Sequence, residues 1–228
     1  MEKQKNILEW EIIMNQKKIR YFSDMANREW DKIKDSYIVS KKINLRERTK
    51  NIIEVKFMLD NLGVSFFLVH GGLLGAYRDG EFIKLDNDID LDVFDEIFKR
   101  KYKEMREKFI EAGFIVRSTK IEQNRLGGKL NLYRFREKIS IRSIYLNPNY
   151  EQGQYRLTNN FRYLKKFYNN PSSIKFKNEV FQTPGPIEKY LTYVYGDKWR
   201  EPMTKNKLFK KWRGMEVRRS SEKIKKKR

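Results

Sequence analysis

His70-Gly71-Gly72-Leu73-Leu74-Gly75-Ala76-Tyr77-Arg78-Asp79-Gly80 is followed, after Glu81, by Phe82-Ile83-Lys84-Leu85-Asp86-Asn87-Asp88-Ile89-Asp90-Leu91-Asp92-Val93. Successive side chains of a strand point to opposite faces, so residues two apart share one. Read as a strand, the second segment puts Asp86, Asp88, Asp90 and Asp92 on one face and Ile89, Leu91 and Val93 on the other. The apolar face suits a core. The acidic face is costly, because like charges roughly 7 Å apart repel each other and lose hydration. A hard divalent cation removes that cost, and Mg²⁺ prefers a few carboxylates together with water and phosphate oxygens. A bare Asp-x-Asp is more often a solvated acidic strand. Here it directly follows a strand and a Gly-Gly turn, which favours a metal site that handles phosphates.

The turn supports this. Val64-Ser65-Phe66-Phe67-Leu68-Val69 is a short run of β-formers after Gly63 and reads as a buried strand. Gly71 and Gly72 let the backbone approach a ligand closely, and Leu73 to Tyr77 open a short helix whose free N–H groups favour phosphate. Arg78 and Lys84 are candidates to neutralise phosphate charge, Arg78 in a bidentate way. An ordinary tight strand-to-helix turn is the alternative. The segment matches neither the Gly-Lys-Ser/Thr ending of a Walker loop nor the three spaced glycines of a dinucleotide fingerprint. His70 is the single histidine and reads as a structural strand-end residue. With no cysteine, a conventional zinc site or a Ser-His-Asp triad elsewhere is disfavoured.

These residues resemble the signature of the LicD family, close to His-Gly-Thr-Leu-Leu-Gly-Ala-x-Arg, a spacer, then Phe-Ile-Pro-Trp-Asp-Asp-Asp-Ile-Asp. A second likeness lies downstream. Thr183-Pro184-Gly185-Pro186-Ile187-Glu188-Lys189-Tyr190-Leu191, then Tyr195-Gly196-Asp197-Lys198-Trp199, is similar to the family's Pro-rich helix entry and its closing Tyr-Gly-Asp-x-Trp. The resemblance implies a nucleotidyltransferase fold and a transferase. Such enzymes move phosphocholine or a polyol phosphate from a CDP-linked donor onto a glycan, and fukutin-type proteins are relatives. It also implies that Asp88 and Asp90 ligate Mg²⁺ or Mn²⁺, with Asp86 as a further catalytic carboxylate beside them. Gly71, Gly72 and Arg78 then line the donor phosphate pocket, with Lys84 nearby.

The chain departs from the pattern at Lys84-Leu85, where the family has Pro-Trp, and at Asn87, which replaces the middle Asp. The family's further carboxylate, on a later strand, has no counterpart in Ile139-Ser140-Ile141-Arg142-Ser143-Ile144-Tyr145-Leu146. Either Asp86 or Asp92 substitutes for it, or the enzyme is weak or altered. Two rival readings stand beside the transferase. One is a nucleotidyltransferase acting on RNA or protein, and the other is a non-catalytic binding protein that keeps the fold.

The formal charge is +21, from 51 basic and 30 acidic residues, and it is unevenly spread. From Thr204 to Arg228 there are 12 Lys or Arg against 2 Glu, a net of +10. Such a tail binds anionic partners: nucleic acid, an acidic membrane surface or a polyanionic glycan. Leu208, Phe209, Trp212 and Met215 fall near helical spacing within it. No run approaches the roughly 18 apolar residues of a membrane span, and the N-terminus lacks the apolar core of a signal peptide. The cytoplasm, or peripheral attachment at its membrane surface, is therefore expected.

The expected organisation is an α/β (α+β) nucleotidyltransferase-like mixed sheet flanked by helices. A helical extension spans 1–62, the catalytic domain 63–203 and the basic tail 204–228. Leu8, Ile12, Ile19, Phe22, Ala26, Trp30, Ile33 and Tyr37 predict one or two amphipathic helices that pack on the core or on a twin chain. A further helix is predicted over about 46–61, stopped by Gly63, and another over about 95–112, stopped by Gly113. Strands are predicted at 64–69 and 89–94, from 114, over 129–135 and 138–146 with a turn at Arg136-Glu137, and as one edge strand over 174–182. Residues 150–172 read as a loop with a weak internal helix, suited to an acceptor or lid role. A helix from Pro186 to Tyr195 closes the domain.

Overall fold

Asn44 caps the first helix by accepting a hydrogen bond from the Glu47 backbone N–H, and α1 (Leu45–Asn61) follows. The structure is a computed structural model that describes residues 43–118, 128–146, 154–157 and 162–202. The expected helices over residues 1–37, the turn that Asn147-Pro148-Asn149 marks and the basic tail lie outside the described residues. So does Arg125, which the sequence offers with Lys129 beside Gly127-Gly128 as a donor-phosphate contact or, more readily, as surface charge. Ile52, Val55 and Leu59 form the buried stripe of α1, so this helix shares the core of the domain. Gly63 ends it at φ 64°, a conformation that favours glycine, and the chain enters strand β1 (Phe66–Val69).

Helix α2 (His70–Arg78) starts at once, three residues earlier than expected, with His70 buried at φ 51°. Strand β2 (Ile89–Phe94) and helix α3 (Asp95–Glu111) come next. Asp95 and Glu96 sit in the first turn of α3, where the helix dipole favours anions. Then come β3 (Ile115–Ser118), β4 (Lys129–Arg134) and β5 (Glu137–Leu146). The strands order as β1-β2-β5-β4-β3, with β2 and β5 parallel and the other neighbours antiparallel. This is the expected mixed sheet flanked by helices.

The register separates the faces. Leu68, Leu91, Ile141 and Leu130 stand side by side across four strands and are fully buried. They share one core with Phe98, Met105 and Phe109 of α3. Burying each such side chain stabilises by about 1.5–3 kcal/mol. The adjacent rows point the opposite way and are polar: Asp90, Ser140 and Asn131 in one, Asp92, Arg142 and Lys129 in the next.

Four local expectations are corrected. The acidic run is not one strand, because β2 begins at Ile89 and leaves Asp86 and Asp88 in the preceding loop. The β4–β5 turn sits at Phe135-Arg136, with φ 54° and 62°, so Glu137 enters the strand and the core. Within 150–172, two short strands, β6 (Gln154–Leu157) and β7 (Arg162–Leu164), extend the sheet from the end of β5. Strands that add to a sheet edge are held by backbone pairing, which leaves little hydrophobic pattern to read. The weak helix is α4 (Lys166–Asn169).

The expected edge strand over 174–182 is a hairpin. Its strands, β8 (Ser172–Phe176) and β9 (Glu179–Thr183), turn at Lys177-Asn178 with φ 53° and 66°. Positive φ at both central residues is the usual two-residue hairpin turn, and Asn tolerates it well. After the cis Gly185–Pro186 bond, α5 (Ile187–Tyr195) leads to a 3-10 turn (Asp197–Arg200) that buries Trp199. No described helix is long and apolar enough to cross a membrane.

Candidate active site

The loop between α2 and β2 sets the site. Phe82 anchors it, packing edge-on against Phe176 with ring centres 4.9 Å apart. A turn at Lys84-Leu85 follows, closed by the Asp86 N–H donating to Ile83 O at 3.0 Å. Arg48 of α1 then donates to the Asp86 carbonyl at 2.9 Å while its Nε pairs with Glu137 Oε2 at 2.6 Å. Arg48 and Glu137 are each about 1% exposed. A buried ion pair between α1 and β5 thus holds the backbone that carries Asp86.

Asp86 points at the start of α2. A Cβ built on Gly71 would overlap Oδ2 of Asp86 and lie 2.7 Å from its Cγ. The close approach read from Gly71 is therefore to a carboxylate of the protein itself. Gly72 faces inward, where a Cβ would meet Leu68 Cδ1 at 2.9 Å and Ile89 Cγ2 at 3.3 Å. It lets α2 settle on the sheet. Arg78 lies about 10 Å along the helix from Gly71. There it makes a bidentate pair with Asp79 at 2.8 and 2.6 Å and donates to Trp199 O at 3.3 Å. Lys84 is exposed at its turn. The structure thus gathers Gly71, Asp86, Asp88 and Asp90, and places Arg78 at the other end of α2.

The carboxylates have different environments. Burial, then the charges of Asp88 and Asp90, pushes Asp86 up to about 8. Burial also raises Asp90, to about 6, although Arg142 opposes it. Its nearest cation is Arg142 Nη1, 3.4 Å from Oδ1. Burial acts upward on Asp88 too, but Lys138, paired with Oδ2 at 2.7 Å, and Ser140, bonded at 3.1 Å, outweigh it and leave Asp88 below the usual carboxylate range.

Asp92 is fully buried, and burial raises it despite its partners. Its Oδ1 accepts from Arg142 Nε at 3.1 Å and Nη2 at 2.9 Å, and its Oδ2 from Tyr168 OH at 2.8 Å. Both of its oxygens are engaged. Of the two acids that could stand in for the missing carboxylate on β5, Asp92 has both oxygens held by Arg142 and Tyr168, and Asp86 is the one that feels the charges of both Asp88 and Asp90. The β5 residue in register with Asp90 is Ser140.

Asp88 and Asp90 each add to the raised proton affinity of Asp86, and the three carboxylates offer a hard-oxygen donor set, which fits Mg²⁺ or Mn²⁺. Among the described residues, no three acidic or His side chains already stand in ligand arrangement. Asp88 is turned to Lys138 and Asp90 toward Arg142.

Sequence reasoning did not select Arg48, Lys138, Ser140 or Arg142. Alternation within the strand expected at 138–146 puts Lys138, Ser140 and Arg142 on one face. Only the pairing of β5 with β2 shows that this is the acidic face.

The family model for the LicD/FKTN/FKRP nucleotidyltransferase domain matches residues 63–186. No curated protein matches the chain.

Proposed function

The chain belongs to the LicD/FKTN/FKRP nucleotidyltransferase-domain family, of the LicD/fukutin transferase type, and from that premise we propose a Mg²⁺- or Mn²⁺-dependent phosphotransferase. It would move a phospho-linked group, such as phosphocholine or a polyol phosphate, from a CDP-activated donor to a glycan acceptor. The observation that carries this reading is the convergence of Asp86, Asp88 and Asp90, with Asp86 seated on Gly71 and raised to about 8.

In this reading Asp88 and Asp90 hold the cation. A bound cation supplies charge neutralisation at the donor's phosphates. Asp86, as the carboxylate, would orient the acceptor hydroxyl and take its proton, while the hydroxyl oxygen forms the new bond to phosphorus and the bond to the leaving CMP breaks. Arg48 and Glu137 keep the Asp86 backbone in place. Arg142 and Tyr168 hold Asp92, which supports the floor of the site. The basic tail would bring the enzyme to an anionic membrane surface or nucleic acid, and the N-terminal helices would support an oligomer. The cytoplasm or its membrane surface is the corresponding location.

The test is calorimetric binding of CDP-choline, CDP-ribitol, CDP-glycerol and CTP, with Mn²⁺ and with EDTA. It compares the wild type with Asp88→Asn/Asp90→Asn. Metal-dependent binding of one CDP-linked compound, lost in the variant, supports the proposal. Preference for the plain triphosphate would replace it with nucleotidyl transfer to RNA or protein. The pairing of Asp88 with Lys138 and of Asp90 with Arg142 favours a second reading, a binding protein that retains the fold. That reading predicts no metal-dependent nucleotide binding.

A further inference from the structure

On the polar face of the sheet, four carboxylates lie beside three cations from β4 and β5. Two of those cations have partners. Lys138 pairs with Asp88 at 2.7 Å, and Arg142 pairs with Asp92 at 2.9 Å. Lys129 differs. It stands opposite Arg142 in the β4–β5 register and is half-buried. That register puts its side chain on the polar face of the sheet, where the charges of Lys138, Asp90, Asp88 and Arg142 act on it. Yet among the described residues it forms no hydrogen bond and no ion pair within 4.0 Å.

A partly buried ammonium, with a second ammonium nearby and carboxylates beyond ion-pair distance, is poorly compensated. An oxyanion between Lys129 and Lys138 would compensate it. A divalent cation on Asp88 and Asp90 would turn four negative and three positive charges into a positive surplus, which a phosphate would balance.

We propose that Lys129, with Lys138 near it, forms a phosphate-binding subsite for a nucleoside-diphosphate donor, on the two strands beyond β2. This rests on the transferase reading. It places donor-phosphate recognition on β4 and β5, away from Arg78, and takes up for Lys129 the phosphate role that its place beside Gly127-Gly128 offers against a surface-charge reading.

The test uses the full chain with saturating Mg²⁺ and titrates CDP, inorganic pyrophosphate and cytidine calorimetrically. Wild type, Lys129→Gln, Lys129→Arg and the distant surface change Lys108→Gln are compared, with thermal midpoints measured to confirm folding. Removing a charge-assisted hydrogen bond should weaken CDP binding about tenfold or more in Lys129→Gln. Lys129→Arg should recover most of it, and cytidine binding and Lys108→Gln should not change. A matching loss for pyrophosphate also supports the subsite. A loss confined to pyrophosphate would make it a site for free phosphate anions and overturn the donor assignment. CDP binding equal in Lys129→Gln and wild type would overturn the role of Lys129 and leave the transferase reading intact. A wild type that binds neither CDP nor pyrophosphate would overturn both.

Discussion

The carboxylate of Asp86 fills the space that a side chain on residue 71 would need. The glycine and the acid are one unit, although fifteen positions and a helix separate them. Gly71→Ala should drive the Asp86 carboxylate away from Asp88 and Asp90. The forced adjustment should cost about 1–3 kcal/mol of stability, as overpacking does. It should also weaken Mn²⁺ binding. Calorimetry and thermal unfolding of the variant check both effects, and wild-type Mn²⁺ affinity would show that Asp86 does not serve the cation.

The raised proton affinity of Asp86 has a definite sign. Its ordinary value is 3.8, and in the folded chain it reaches about 8. The folded state therefore binds this proton more tightly than the unfolded one. The contribution to stability is fully present below 3.8 and is lost as pH rises toward 8. With EDTA, the melting temperature should fall from about pH 4 to pH 8 and level off above that. Mn²⁺ replaces the proton, so the rise it causes should grow over the same window. Asp86→Asn should flatten the fall in EDTA, and an unchanged slope would remove Asp86 as its source.

Neighbouring acids should respond in opposite ways to neutralisation. Asp90 is raised chiefly by its own burial and meets Arg142 only at 3.4 Å, whereas Asp92 is bound by Arg142 and Tyr168. Without metal, Asp90→Asn should keep or raise the melting temperature. Asp92→Asn should lower it, because breaking a buried pair costs about 3–5 kcal/mol. Equal effects in thermal unfolding would contradict the difference drawn between the two environments. Within the transferase reading, Asp90→Asn should also abolish turnover.

Arg48→Met should destabilise by a similar amount, about 3–5 kcal/mol, by leaving Glu137 buried without its guanidinium. Adding Glu137→Leu should restore most of that loss. Denaturant unfolding of the single and double variants measures the coupling, and additive losses would argue against it.

The elements that carry local periodicity were legible. Ile52, Val55 and Leu59 announce α1, and Ile89, Leu91 and Val93 announce β2. Asp88 and Asp90 stand out because an acidic alternation beside an apolar one is unusual. The seat of Asp86 on Gly71 was not legible, since a loop fold rather than strand alternation produces it. Lys138 and Arg142 were hidden for another reason. Their meaning depends on β5 lying parallel to β2, a pairing across about fifty positions that no local pattern encodes. Lys129 could be read beside Gly127-Gly128 as a phosphate contact, but more readily as surface charge. The β8–β9 hairpin was blurred because Lys177-Asn178 lacks the glycine that usually marks such a turn.

The reach of Arg48 bears on how the protein can be shortened. The matched family segment begins at residue 63, but the guanidinium that steadies the Asp86 loop belongs to a helix that ends before it. A fragment trimmed to the matched segment would keep every carboxylate of the site and lose its brace, exposing Glu137 and the apolar rows beneath α1. Such a fragment would be a poor surrogate in binding screens, and its silence would say nothing about the intact enzyme.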